Sequence, residues 1–347
     1  MNSPPTNMIG VVAIGRNEGE RLRRCLESAL KVSNALVYVD SGSQDASVEL
    51  AKTLGAEVVQ LDLTTPFTAA RSRNAGIARL RERHPAIAFV QVVDGDCEIV
   101  DGWIQRAIQE MNDHRLVAVV CGRRRERYPE QSVYNRLCDM EWDTPVGEAD
   151  ACGGDALFRL DAMKQVGGYD ETIIAGEEPE LCLRLRLAGW KVHRVDHEMT
   201  LHDAAMTRFG QWWKRNVRSG HAYAEGHAMH GRAHGYCARE VRSIIEWGLI
   251  LPVLMFGLMW PTWSLSLLLF AAYVWLWLRV RNGRLAHGNT RKDAGDYATY
   301  CVLGKFAQLV GIIKYWFNRL LGRRTQLIEY KGPASPVAAA EVGASQS

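Results

Sequence analysis

Five short apolar runs, each followed by a stretch with helical spacing, constrain this chain more than any other feature. The runs fall at residues 8–14, 35–39, 57–61, 88–93 and 116–121, and they read as strands buried on both faces. Between them, residues 19–30 repeat Leu22, Leu26 and Leu30 on one helical face. Asp45 is placed to cap a helix that Gly55 stops, and residues 68–83 and 103–112 carry two more helices. Strand–helix alternation of this kind predicts an α/β fold with a doubly wound, mostly parallel sheet. In such sheets, function lies in the loops beyond the carboxyl ends of the strands.

The polar residues collect in those loops. Arg16, Asn17 and Glu18 follow the first run, Asp40 and Ser41 end the second, and Asp94-Gly95-Asp96 closes the fourth. Two carboxylates one residue apart repel unless a cation lies between them. Hard oxygen donors suit Mg2+ or Mn2+, which are commonly shared with substrate phosphates. A net charge of +3 gives no broad field for a polyanion, so no nucleic-acid partner is expected. Eight cysteines without a CxxC pair read as reduced core residues rather than a disulfide frame. The polar start, Met1 to Asn7, is read as leading into the first strand without a signal peptide.

Further along, Gly153-Gly154 allow a close backbone approach ahead of an apolar stretch. Glu177, Glu178 and Glu180 open a helix with Leu181, Leu185 and Ala188 on one face, ended by Gly189. Acids at a helix start complement its dipole; taken with the metal-binding pair upstream, one of them could instead act as a general base that deprotonates an acceptor hydroxyl. His202 is expected beyond a last strand at 192–196 and a turn. His221, His227, His230 and His234 fit no zinc spacing and are expected to line a loop near a membrane.

From Trp247 to Leu278 the chain runs 32 residues without a charged side chain, interrupted by Pro252 and Pro261. One membrane span needs about 20 apolar residues. The run therefore fits two short spans turning near 260–262, or one long broken helix. Arg239 and Arg242 before it, and Arg279, Arg281 and Arg284 after it, favour a hairpin with both ends in the cytoplasm. A polar linker is expected at 282–296. An amphipathic helix follows at 298–321, either interfacial or packed on the catalytic domain. The divisions expected are a catalytic domain at 1–235, a membrane hairpin with amphipathic helix at 236–330, and a disordered tail at 331–347.

Taken in order, Asn17-Glu18, Val39-Asp40-Ser41-Gly42-Ser43-Gln44-Asp45, Ala70-Arg71-Ser72-Arg73-Asn74-Ala75-Gly76, Asp94-Gly95-Asp96, Gly167-Gly168-Tyr169-Asp170 and Gly176-Glu177-Glu178 resemble the family 2 glycosyltransferases. The likeness covers residues 8–205. It implies a GT-A-type fold, a nucleotide-diphosphate sugar as donor, and a lipid-linked or glycan acceptor at the bacterial inner membrane. The resemblance places Asn17, Glu18 and Asp40 at the nucleoside, and Arg71 and Asn74 near the sugar or diphosphate. Asp96 becomes the metal ligand, with Asp94 nearer the ribose and sugar. Glu178, or its neighbour Glu177, stands at the base position, where the family has Glu-Asp rather than Glu-Glu. His202 matches a histidine that completes the metal shell in some members. Arg215 and Arg218 match a diphosphate-clamping stretch, but Ser219 stands where processive synthases carry tryptophan, so transfer of a single sugar is expected. Three alternatives remain: a non-catalytic membrane-anchored partner that keeps the fold, against which the intact acids argue, a polyprenyl-phosphate glycosyltransferase, which needs no general base, and a metal-dependent nucleotidyltransferase. Against the last, Gly15-Arg16-Asn17-Glu18-Gly19 lacks the lysine and glycine density of a phosphate loop.

Overall fold

The computed structural model describes residues 9–323, which form two compact units, 9–131 with 138–205 and 132–137 with 206–323. In the first unit β1 (Ile9–Gly15), α1 (Glu20–Val32), β2 (Leu36–Asp40), α2 (Ser47–Thr53), β3 (Glu57–Gln60), α3 (Ala69–Arg83) and β4 (Phe89–Asp94) alternate as the apolar runs predict. Every residue of β2, and all of β1 except Gly15, is buried, because helices cover both faces of these strands. Thr68 caps α3 by accepting the Arg71 amide at 3.1 Å. Asp45 accepts the Ser47 amide at the start of α2.

After β4 come β5 (Cys97–Ile99), α4 (Trp103–Asp113), β6 (Val117–Glu126), α5 (Val133–Glu141), β7 (Gly147–Ala149), β8 (Ala156–Arg159), α6 (Leu160–Gln165), α7 (Glu177–Leu187) and β9 (Lys191–His202). The strand order is β3-β2-β1-β4-β8-β6-β9-β5, with β7 also paired to β9. Strands β1 to β4 are parallel. The short β8 then inserts antiparallel between β4 and β6, so the expected fifth strand does not lie beside the fourth. It also runs five residues beyond its expected end at Cys121, to Glu126. The chain leaves β1 for β2 on one side and meets β4 on the other. A crevice opens at such a reversal, beyond the carboxyl ends of β1 and β4, where Asn17, Glu18 and Asp94 fall.

The last strand differs from expectation. β9 runs unbroken for 12 residues, and His202 is its final residue rather than part of a loop. The reason is pairing: β6 and β5 extend alongside it, and Cys97 faces His202 across the sheet.

The second unit is helical: α8 (Phe209–Gly226), α9 (Arg232–His234), α10 (Ala238–Ile245), α11 (Leu251–Gly257), α12 (Phe270–Ala286) and α13 (Arg291–Leu320). Wider π-type turns join α8 to α9 and α10 to α11. The histidines at 221–234 thus lie on helix, not on a loop. His221 is buried edge-on against Tyr315. α8 and α13 approach backbone to backbone: a Cβ on Gly311 would lie 2.1 Å from the Val217 carbonyl oxygen.

The uncharged run forms a helical hairpin that turns at 258–264, but it does not make two spans. Among the described residues no helix is long and apolar enough to cross a membrane. The second arm is apolar only from Leu265 to Leu278, roughly 20 Å of helix against a hydrocarbon core of about 30 Å. The expected linker at 282–296 is also largely helical, with only 287–290 between α12 and α13. The expected tail at 331–347 lies outside the described residues.

Candidate active site

The Asp-Gly-Asp turn is held against β1 by its middle residue. Gly95 donates its amide to the Ile14 carbonyl at 2.7 Å, and a Cβ there would lie 3.0 Å from that oxygen and 3.3 Å from Glu18 Cγ. Glycine is the residue that lets the turn nest so closely. The two acids then point into different surroundings.

Asp94 faces two guanidinium groups. Arg73, on the inward face of α3, reaches one carboxylate oxygen at 2.9 Å, and Arg124, on β6, reaches the other at 3.3 Å. Arg124 is held in turn by Asp155 at 2.7 Å. Asp155 is fully buried and also accepts the Asp94 amide and the Thr200 hydroxyl. Gly154 closes over this cluster, and a Cβ on it would lie 2.7 Å from Asp94 Oδ2.

Arg73 carries the connection onward. Its Nη1 lies 2.7 Å from Glu177 and 2.7 Å from Glu178, the first two residues of α7. Gly176 starts that helix at φ +86°, a left-handed conformation that glycine adopts without strain. Glu177 is 3% exposed, whereas the Glu178 side chain keeps 12% of its surface open. Two arginines thus serve four carboxylates. Burial, reinforced by Glu177 and Asp94 and opposed by Arg73, pushes the Glu178 carboxyl up to about 7.

Asp96 is buried and lies 3.5 Å from Nε2 of His202, whose Nδ1 is 3.5 Å from Glu126. Trp142 packs edge-on against the imidazole at 4.8 Å. Asp96, Cys97 and His202 bring ligand atoms within 4.8 Å of one another. Burial raises the Cys97 thiol well above its usual range, which disfavours the thiolate form in the absence of a metal. An oxygen and an imidazole nitrogen, with an acid behind the ring, fit a divalent ion. Asp94, engaged by two arginines, is the less available of the pair.

The remaining expected residues fall as follows. Asp40, at the end of β2 and buried, accepts the Tyr38 hydroxyl and the amides of Gly42 and Ser43. Glu18 pairs with Arg21 at 2.8 Å. Asn17, at φ +56°, ties the first loop to the second through Ser43 and Gln44. Arg71 donates to the Thr65 carbonyl, away from Arg73. The Asn74 amide is spent on Tyr169 and Glu171. Arg215 and Arg218 lie one turn apart on α8, in the second unit.

Arg73, Arg124, Asp155 and Glu126 were not singled out by their sequence context. Arg73 had a signal: it shares the spacing of Ala70, Ile77 and Leu80, the buried stripe of α3. Arg124 sits within Arg123-Arg124-Arg125, which reads as a solvated run until Asp155 is brought beside it.

Residues 11–166 match the family model described as Glycosyl transferase family 2. Over this stretch, a little under half of the chain, the protein is similar to the family 2 glycosyltransferases. The chain is 27% identical over 230 residues to a pre-mycofactocin glycosyltransferase of Mycobacterium tuberculosis, covering 62% of this chain and 47% of that protein. It is 26% identical over 189 residues to the succinoglycan biosynthesis protein ExoA of Rhizobium meliloti, covering 51% of this chain and 56% of that one. The chain thus spans about half the length of these curated relatives. Its fold resembles that of a mannosyltransferase from Pyrobaculum calidifontis solved with GDP-Man and Mn2+. That likeness has a TM-score of 0.58 at 13% identity and covers 90% of this chain and 88% of the other. The matched stretch therefore lies on a mixed α/β, GT-A-like sheet.

Proposed function

We propose that the protein transfers one sugar from a nucleotide-diphosphate sugar to an acceptor hydroxyl, inverting the anomeric carbon. One observation carries this reading: a single buried arginine joins the Asp-Gly-Asp turn to Glu178, an acid held near neutral pH. Glu178 takes the proton from the acceptor hydroxyl. The acceptor oxygen bonds to the anomeric carbon from one face while the bond to the diphosphate breaks on the other, and the diphosphate leaves with the electron pair. Asp96 and His202 would hold a Mg2+ or Mn2+ ion. When bound, that ion supplies Lewis-acid neutralisation of the departing diphosphate. Asp94, fixed between Arg73 and Arg124, orients the ribose and sugar hydroxyls.

Glu18, Asp40 and Asn17 border the crevice at the end of β1 and are assigned to the nucleoside; carboxylates accept from a uracil N–H or a ribose hydroxyl. Arg71, Asn74, Arg215 and Arg218 keep the roles that the resemblance implies, Arg215 and Arg218 as clamps on the diphosphate. The acceptor is a lipid-linked or glycan hydroxyl at the cytoplasmic face of the cell membrane. The exposed apolar hairpin, with Trp260 and Trp263 each 92% exposed, supports contact with a lipid surface without spanning it.

The test uses the full chain with a panel of nucleotide sugars and Mn2+, first by thermal shift and then with membrane-extract acceptors. Release of nucleoside diphosphate with sugar transfer is expected, and both Asp96→Asn and Glu178→Gln should abolish it. Full transfer by both variants would overturn the reading. Release of pyrophosphate instead would make the enzyme a nucleotidyltransferase. Full activity in Glu178→Gln beside a dead Asp96→Asn would indicate a polyprenyl phosphate acceptor.

A further inference from the structure

The hairpin of the second unit changes character within one helical turn. α12 is uncharged through Leu278 and then carries Arg279, Arg281 and Arg284. Their guanidinium groups lie 5.4, 5.6 and 4.3 Å from the ring centroids of Trp275, Trp277 and Tyr297. Aromatic rings beside arginines at the end of an apolar segment mark the level of a membrane interface. Arg239, Arg242 and Glu246, in α10 and the turn after it, join Arg279, Arg284 and His287 in lining one cleft of about 520 Å³. Four guanidinium groups meet a single carboxylate there. Among the described residues, Arg239, Arg242 and Arg279 have no carboxylate within 4.0 Å.

Like charges gathered in one cleft repel unless an anion enters. The cleft lies at the base of a surface that no soluble anion would cover: Phe256, Leu265 and Leu268 are each more than three-fifths exposed. On the neighbouring face of α12, Tyr273, Val274 and Trp277 line an apolar groove of about 540 Å³ with Phe256 and Phe306. A ligand that satisfies both clefts carries a phosphate at one end and an apolar chain at the other.

We propose that the basic cleft binds the phosphate of an anionic phospholipid, with an acyl chain along the apolar groove and the hairpin lying in one leaflet. The proposal rests on the membrane contact inferred above and deepens it by naming the lipid chemistry. An anionic surface attracts each arginine near it by about fivefold in affinity. A fitted cleft concentrates that effect on particular side chains, whereas a diffuse field spreads it over all exposed cations.

The experiment measures sedimentation of the full chain with vesicles of phosphatidylcholine alone, or mixed with phosphatidylglycerol, at physiological ionic strength. The mixed vesicles should bind far more tightly. Arg239→Gln, Arg242→Gln and Arg279→Gln combined should weaken that binding about a hundredfold. A control combining Arg232→Gln, Arg291→Gln and Lys292→Gln removes the same charge outside the cleft and should cost about threefold or less. Unchanged circular dichroism and melting would show that both variants fold. Equal losses in the two variants would overturn the cleft. Equal binding to both vesicles would preserve membrane contact but overturn the anionic preference. No binding to either would overturn both readings. Displacement from mixed vesicles by soluble glycerol phosphate would identify a free phosphate as the ligand and overturn the lipid assignment.

Discussion

Nη1 of Arg73 lies 2.7 Å from Glu178 Oε1 inside the first unit, while Nη2 of the same guanidinium holds Asp94 at 2.9 Å. The acid proposed to receive the acceptor proton and the acid proposed to orient the donor are therefore positioned by one rigid group. A planar, permanently charged fork suits this task because it fixes two carboxylates in one geometry. It also opposes, without cancelling, the burial that raises Glu178. Base strength and donor placement are thereby set together.

Arg73→Lys should separate charge from geometry. Lysine keeps the positive charge but cannot hold Asp94 and Glu178 in fixed directions. The variant is expected to fold and to lose at least about tenfold in transfer rate, by the cost of misplaced groups. Arg73→Ala leaves its carboxylate partners without their buried cation and should lose about 3–5 kcal/mol in urea denaturation. Wild-type kinetics in Arg73→Lys would refute the positioning role.

The pH dependence follows from Glu178, held at about 7 by burial. The base acts as a carboxylate, so transfer should rise with pH through about 7 and then level. Glu178→Gln should show a low rate without that limb. The stability effect has the opposite sense. The folded state keeps its proton over the window from the usual carboxyl range up to about 7, so unfolding free energy falls as pH rises through that window. Urea denaturation at about pH 5 and about pH 8 should show this loss in the wild type, and Glu178→Gln should reduce it. Identical pH profiles for the two proteins would rule the assignment out.

The first half of the sheet was legible in the sequence because β1 to β4 are buried on both faces and read as continuous apolar runs. Asp94 and Asp96 were legible for a related reason: a strand end is a fixed address. The insertion of β8 between β4 and β6 was not, since Ala156–Arg159 is too short to carry a period. Arg124 and Asp155 are 31 residues apart and have meaning only as a pair. The membrane spans were overread because hydropathy counts residues without asking where a helix stops being apolar. In α12 it stops at Arg279.

The packing of α8 on α13 predicts a local failure in the second unit. A Cβ at Gly311 would lie 2.1 Å from the Val217 carbonyl and 2.6 Å from the His221 amide, both backbone atoms that cannot rotate away. Gly311→Ala should therefore force the helices apart and cost about 1–3 kcal/mol, as overpacking does. Glycine is a poorer helix former than alanine by about 1 kcal/mol, so a surface glycine would instead be stabilised by the change. Gly283, with open space around its Cβ position, supplies that control. Limited proteolysis and thermal melting would read both. A Gly311→Ala protein as stable as Gly283→Ala would mean that the close approach is absent.

Asp96 and His202 yield the last prediction. If they hold a divalent ion, Mn2+ added to the wild type should raise its melting temperature, by about 2.7 kcal/mol of stabilisation when the ion is a hundredfold above its dissociation constant. His202→Ala removes one donor and should weaken the ion's affinity, while Asp96→Asn should abolish the shift. Glu126 touches no ion in this arrangement, yet it faces Nδ1 of His202 at 3.5 Å and orients the ring so that Nε2 meets Asp96. Glu126→Gln should therefore weaken Mn2+ binding by about 10–100-fold, the usual effect of losing the group behind a ligating histidine. The fold should survive, because glutamine keeps an acceptor for the Ala204 amide that Glu126 now holds at 3.0 Å. Calorimetric titration of Mn2+ into each variant would check the order. Equal affinity in the wild type, His202→Ala and Glu126→Gln would remove His202 from the metal shell and leave Asp96 to hold the ion with the diphosphate alone.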